Sequence, residues 1–404
     1  MDRYSVAGVL TRIQQYFDIT DTQAGLLQTT GTIANGLYIF VIPPSTGCSG
    51  IGEASYSILA PTLIADLFIS NARSRAIMFF YFAVPVGSGL GYVIGSAVAT
   101  AFDDWKWGIR VTPILGLISI IAVIILIEEP ERGQAEKEAK VKSSSDEKPK
   151  KDLNSTYLDD LKYLIKIKTY IWSTVGYTAV VFVSGTLAWW APSAIDYALA
   201  MQQNLNNTTE LDPAQKDKVS AIFGALTCIG GIIGVATGTY LAHIWKEGKF
   251  CFKNCASPKA DPLISGIGAL VTIFFSVTFV SLNVAINVDM LMYIIVPKRR
   301  AVANSWQITM SHLFGDASGP SVIGLISDFL RKHDESPSAH YYSLRTAFYA
   351  PTVILIIAGL AYIICAFTLS EDLKNYKRDM GKKMTRMGIS MMLPITKILM
   401  DLNK

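Results

Sequence analysis

The chain reads as an all-α polytopic membrane helical bundle, and three observations carry that reading. Hydrophobic residues make up 51% of its 404 and charged residues only 17%, with a mean hydropathy of +0.35, a balance soluble domains rarely show. The apolar residues gather into runs near the ~20 residues a helix needs to cross a bilayer, and a helix satisfies its own backbone inside lipid. Lys and Arg fall mostly between these runs, so the net charge of +4 is a topology signal and not a nucleic-acid footprint.

Taken in order, residues 1–10 are too short to span, 11–21 are a polar connection, and 24–41 are a weak apolar stretch broken by Gly31, Asn35 and Gly36 and closed by Pro43 and Pro44. Stronger spans follow at 45–68, 76–101 and 107–127. Arg73 and Arg75 lie in a short basic loop, and Trp105 and Trp107 in an acidic, aromatic one; the positive-inside rule places the first in the cytoplasm and the second at the opposite interface. From 128 to 168 the composition turns to Lys, Glu, Ser and Asp with no apolar period, a hydrophilic cytoplasmic linker between an N-terminal half (1–127) and a C-terminal half (169–370). The C-terminal half opens with a span at 170–195 and a loop bearing two overlapping glycosylation acceptors, at Asn206 and Asn207. One crossing from the linker places that loop on the far side, where acceptors matter. The 220–245 span holds Gly224, Gly230, Gly231, Gly234 and Gly238, spacings that let a neighbouring helix approach closely. The apolar run from Pro262 to Pro297 is long for one crossing; two short ones with a turn near 281–283 keep Lys298, Arg299 and Arg300 in the cytoplasm. Spans at 304–327 and 346–369 finish the bundle, and a Lys-rich cytoplasmic tail occupies 371–404.

One acid lies inside a span. Ser49, Glu53, Tyr56, Ser57 and Ala60 share a small, polar helix face, and an ionised side chain at mid-bilayer costs about 2.5–3.5 kcal/mol unless it faces an interior or a cavity. Glu53 is read either as a proton-coupling acid or as a carboxyl fixed in one state. Asp289 has the same two readings. His312 and Asp316 stand one helical turn apart and can pair, as structure or as substrate contact. Trp189, Trp190, Tyr177 and Phe182 line an acyl path or pack as core. Cys251 and Cys255 lack the partners of a zinc site, no cofactor or metal is indicated, no cleavable signal peptide is visible, and no nucleophile, base and orienter set marks an enzyme.

A faint internal repeat, Ser74-Arg75-Ala76 with Ser88-Gly89 against Arg299-Arg300-Ala301 with Ser318-Gly319, suggests a carrier whose bundles rock around a midplane site. More specific are GEASYSILAPTLIADLF (52–68), FYFAVPVGSGLGYVIGS (80–96), RVTP (110–113), LAWWAP (187–192), ADPL (260–263), VPKRRAVANSWQI (296–308) and SHLFGDASGPSVIGLISD (311–328), with Asp2-Arg3-Tyr4 and Gly25-Leu26-Leu27-Gln28-Thr29 near the start. In these stretches the chain resembles the spinster family of the major facilitator superfamily. The resemblance implies alternating-access transport of lysophospholipids or sphingolipids such as sphingosine-1-phosphate, coupled to protons through Asp2, Arg3 and Glu53. It also implies a late-endosomal or lysosomal membrane, with the plasma membrane as alternative. The chain departs from the family pattern in its first half. Most of the first helix is expected before Met1, the second and third helices are compressed into 24–41, and Thr46 stands where family members carry an arginine. Two further readings stay open: an organic-anion or sugar carrier of the same superfamily, and a truncated, non-transporting membrane interaction protein.

Overall fold

The computed structural model describes residues 2–29, 70–126, 157–249, 259–271, 286–296, 299–332 and 334–386, together with 60–61, 63–64, 67–68 and 257. Among them the regular structure is helical. The amino-terminal segment comprises α1 (Asp2–Gly8), α2 (Leu10–Phe17), α3 (residues 21–29), α4 (Ser70–Ala101) and α5 (Trp105–Leu126). The carboxy-terminal segment comprises α6 (Tyr157–Ile165), α7 (Lys168–Gln202), α8 (Pro213–Glu247), α9 (Ala260–Val271), α10 (residues 286–294), α11 (Arg300–Ser311), α12 (Ser318–Arg331), α13 (Pro337–Ala347) and α14 (Tyr349–Arg386). Among the described residues, five stretches are long and apolar enough to cross a membrane: 72–101, 105–122, 168–202, 213–247 and 337–376. Their outward faces are rich in Ile and Leu, as on α5, where Ile114, Leu117, Ile118, Ile121, Ile124 and Ile125 are exposed; lipid solvates such a face as well as protein does.

The two segments meet chiefly where α4 packs along α8. A side chain at Gly224 would place its Cβ 2.6 Å from the carbonyl oxygen of Gly89, and one at Gly89 would strike Gly224 in return. The glycine stripe thus does what its spacing predicts, and with α4 as the partner. Within the carboxy-terminal segment α14 lies along α7, and its Asp372 accepts the Thr169 N–H at 2.7 Å, capping the start of α7.

Several boundaries differ from the sequence expectation, each for a physical reason. The linker ends in a helix: Asp160 and Leu164, one turn apart, are the buried face of α6, and Arg299 fixes it, its Nε 2.7 Å from Asp160 Oδ1 and its guanidinium 4.3 Å from the Tyr163 ring centre. The last span begins near Pro337, nine residues before the apolar run, because Pro337, His340, Ser343, Leu344 and Ala347 form a buried stripe and Ser336 caps the first turn through Ala339 N–H. α14 stays helical through Arg386, into the Lys-rich region. The turn expected near 281–283 and the weak stretch at 30–41 lie outside the described residues.

Ion pairs and hydrogen bonds define two ends of the bundle. Gln15 donates to Asn207 Oδ1 at 2.7 Å, so the carboxy-terminal end of α2 shares an end with the acceptor loop. Ser74 Oγ donates to Asp289 Oδ2 at 3.2 Å, so the start of α4 lies at the other end, with α6 and the linker.

Candidate transport site

Between the two ends a narrow cleft of about 30 Å³ opens where α1 and α3 face α7 and the junction of α11 with α12. Tyr4 and Gln28 line it from one side and Ser184, Trp189 and Asp316 from the other. α1 reaches this depth because its small residues allow it: Ser5 is buried and donates to Gly91 O at 3.2 Å, and Gly8 lies on the backbone of Tyr92. Asp2 and Arg3 occupy the first turn of α1, immediately before Tyr4.

Residues 312–316 form a π-helical turn inside an otherwise continuous α11–α12 rod, a local underwinding frequent at functional sites. It carries both predicted polar residues: His312 Nδ1 lies 3.0 Å from Asp316 Oδ1. Asp316 is 4% exposed and its Cβ side packs on Gly185, where any side chain would collide with it. The two side chains pair, and the acid also borders the cleft. Of the neighbouring tryptophans, Trp190 donates to Pro320 O at 2.9 Å, whereas the Trp189 indole N–H, equally buried, has no hydrogen-bond partner among the described residues. Phe182 packs in a core cluster with Val183 and Leu355. Tyr177 stays partly exposed on α7. Glu53 lies outside the described residues.

Asp289 does not reach this cleft. It sits at the linker end with Lys246, whose Nζ lies 2.6 Å from Asp261 Oδ2 and 3.4 Å from Asp289 Oδ2. Tyr293 donates to Asp261 at 2.7 Å. Asn206 and Asn207 are both exposed, but Asn207 accepts from Gln15 and caps a short 3-10 turn (Thr208–Glu210) through the Thr209 N–H.

The acceptor end holds polar residues the sequence reading did not single out. Thr11 donates to Asp196 at 3.1 Å, Arg12 lies 3.9 Å from Asp217, and Ser96 and Thr100 of α4 donate to Asp217 as well. Asp328 of α12 accepts the N–H groups of Asp21 and Thr22, at 3.2 and 2.8 Å, and so caps α3 from across the interface. Asp21, fully buried, accepts from Ser327 at 2.8 Å and lies 3.3 Å from His340, whose ring stacks on Tyr197. Acids interrupting or bounding apolar runs were the available signal for Asp196 and Asp328.

A helical membrane bundle whose two segments enclose a polar cleft, closed by contacts at both ends, has the build of a major facilitator carrier, and the sequence profile described as Major Facilitator Superfamily matches residues 45–296. The chain belongs to the spinster family: it is 34% identical to zebrafish (Danio rerio) "Protein spinster homolog 3" over 93% of this chain and 83% of that protein. It is also 34% identical to human (Homo sapiens) "Protein spinster homolog 1" over 92% and 79%. The zebrafish alignment runs 435 positions against about 376 residues here, 93% of 404, so roughly 60 positions of the relative face gaps. A bacterial homolog of the human lysosomal transporter spinster, solved inward-facing and unoccupied, shares the fold with a TM-score of 0.58 and 17% identity over 92% of this chain and 94% of that one. The protein is thus a multi-pass membrane transporter of the spinster type and not an enzyme.

Proposed function

We propose that the protein is a proton-coupled carrier of lysophospholipids or sphingolipids that works by alternating access between an incomplete N-terminal half and a C-terminal half joined by a cytoplasmic linker. The observation that carries this reading is the cleft itself, a small polar space between the segments with separate sets of contacts closing each end. Asp2 and Arg3, which immediately precede the cleft-lining Tyr4 on α1, together with Glu53, are assigned to proton coupling: an arginine shared between two carboxylates keeps one ionised and lets the other titrate. A lipid headgroup that engages the arginine then frees its former partner to take or give a proton. Asp316 and His312 supply the opposing polar wall. The acceptor end faces a lumen or the cell exterior, glycosylated at Asn206 in preference to the engaged Asn207. The compartment we assign is the late endosome or lysosome.

The test is flux of labelled lysophosphatidylcholine and sphingosine-1-phosphate in proteoliposomes containing this chain, with and without a pH gradient, beside Glu53→Gln. Gradient-dependent flux that disappears in the variant is the expected result. Flux indifferent to the gradient or to Glu53 would overturn the coupling assignment. The gaps against the relative favour a second reading, a non-transporting partner of full-length family members; a well-inserted chain with no flux of either lipid selects it.

A further inference from the structure

The linker ends in a helix that transport through the cleft does not use. α6 buries one narrow face, Asp160 and Leu164, against the bundle, and Arg299 holds it there with its Nε 2.7 Å from Asp160 Oδ1. The rest of its surface is sorted. At about 3.6 residues per turn, Tyr157, Leu158, Leu161 and Ile165 make one apolar stripe beside the buried face, and Tyr157, Leu158 and Ile165 are 50%, 60% and 61% exposed. Lys162 and, just past the helix, Lys166 border that stripe on the side away from the bundle; both are exposed, and Asp159 lies beyond them. Round the helix the order is therefore protein, apolar, basic, acidic.

Depth decides what the stripe meets. The membrane-spanning α7 begins at Lys168, two residues after Lys166, so α6 stands where the chain enters the bilayer. A second basic element arrives at the same level. Leu373 of α14 packs on the cluster that holds Leu164 and Ile167, Lys168 lies 3.9 Å from Glu371, and Lys374 and Arg378 follow, both exposed. Residues 374–386 carry six basic side chains and one acid. An apolar stripe rimmed by lysines matches a bilayer surface with negative headgroups: the stripe enters the acyl boundary, and the lysine stems run along it to place their amines among the phosphates. A partner arriving from solution would meet the Asp159 side first.

We propose that α6 is an interfacial anchor that binds anionic phospholipid in the leaflet at the linker end. Tyr157, Leu158, Leu161 and Ile165 insert, Lys162 and Lys166 engage the headgroups, and Lys374 and Arg378 of α14 extend the basic rim. The two halves of the contact contribute differently: the stripe sets the depth of the helix in any bilayer, and the lysines make its hold depend on negative lipid.

The experiment reads the anchor and not transport, so it stands apart from the lipid-carrier proposal. Hydrogen–deuterium exchange of residues 157–166 is followed in the full chain, one copy per nanodisc, in phosphatidylcholine alone and with about one quarter phosphatidylserine. The wild type is expected to exchange more slowly with phosphatidylserine, by about fivefold for each of the two lysines. That difference should vanish at about 0.5 M salt, where screening reaches only about 4 Å. The double variant Lys162→Gln, Lys166→Gln should exchange alike in both bilayers, with residues 168–180 unchanged. Leu158→Gln with Ile165→Gln should exchange faster than the wild type in both. Exchange indifferent to phosphatidylserine in the wild type, or a full response kept by the lysine variant, overturns the proposal. Protection found only in discs holding two chains overturns it too, since a second copy then covers the stripe. Should the lysine variant fail to insert, the wild type decides alone: a phosphatidylserine effect unmoved by salt rules the anchor out.

Discussion

The two ends of the interface between the segments are closed by different physics. At the acceptor end polar contacts reach across the interface repeatedly, from Thr11 and Arg12 to Asp196 and Asp217, and from Asp21 and Thr22 to Ser327, Asp328 and His340, beside an apolar cluster that Leu10 and Ala24 share with Tyr197, Ile323 and Leu344. At the linker end, Ile77 and Tyr81 of α4 pack into a cluster with Val288, Leu291, Ile294 and Ile295 of α10 and its flank, with the Ser74–Asp289 bond at the edge. In a bilayer apolar surface gains little by leaving lipid, so the linker end is held by van der Waals fit, while each bond at the acceptor end contributes ~0.6 kcal/mol on average. The first kind of contact slides, and the second must be broken bond by bond.

The largest effect should come from the hinge common to both ends. Gly224→Val drives a branched side chain onto the Gly89 carbonyl, which cannot yield without moving α4, a clash worth about 1–3 kcal/mol or more; the expected outcome is loss of the monodisperse peak in detergent, read by fluorescence-detected size exclusion. If the variant elutes normally, α4 and α8 are not the shared axis. Next is the cross-interface cap. Asp328→Ala leaves the first N–H groups of α3 without an acceptor and should cost about 1–2 kcal/mol, seen as a fall in Tm and as faster exchange at residues 20–24 with residues 70–80 unchanged. Equal loosening of both regions would mean that the two ends are not independent. Smaller still is Arg12→Gln, whose 3.9 Å pair with Asp217 is long for an ion pair; a double-mutant cycle with Asp217→Asn should give a coupling near ~0.5 kcal/mol.

The smallest effect is one of pH. The Asp334 carboxylate accepts the Ser336 N–H at 2.9 Å, and that bond holds its pKa below the ordinary carboxylate value. A group depressed in the folded state stabilises it above the unfolded value, about 3.9 for Asp, and loses that contribution as pH falls through the lower folded value. Asp334→Asn should therefore change the exchange of residues 332–338 only slightly at neutral pH, and remove the part of their acid sensitivity below about pH 4.

What the sequence revealed and what it hid divides along the same lines. Periodic and local signals were legible: the apolar runs, the glycine stripe of α8, the one-turn spacing of His312 and Asp316. Contacts between distant residues were not. Asp328 carries no mark of a helix cap when the helix it caps lies 306 positions away, and Asp289 shows its chemistry only once Lys246 and Asp261 are beside it. The start of α13 was hidden because its buried stripe is made of His, Ser and Pro as much as of Leu and Ala, so hydropathy alone reads it as loop.

The crossing of Gly89 on Gly224 also makes α4 a lever. From Gly89 the rod extends 15 residues to Ser74 and 11 to Thr100, arms of about 22 and about 17 Å at 1.5 Å per residue, with Pro85 one turn from the fulcrum. The longer arm belongs to the loosely held end. A small rotation about the glycine contact therefore moves the linker end about a third farther than the acceptor end, and in the opposite sense.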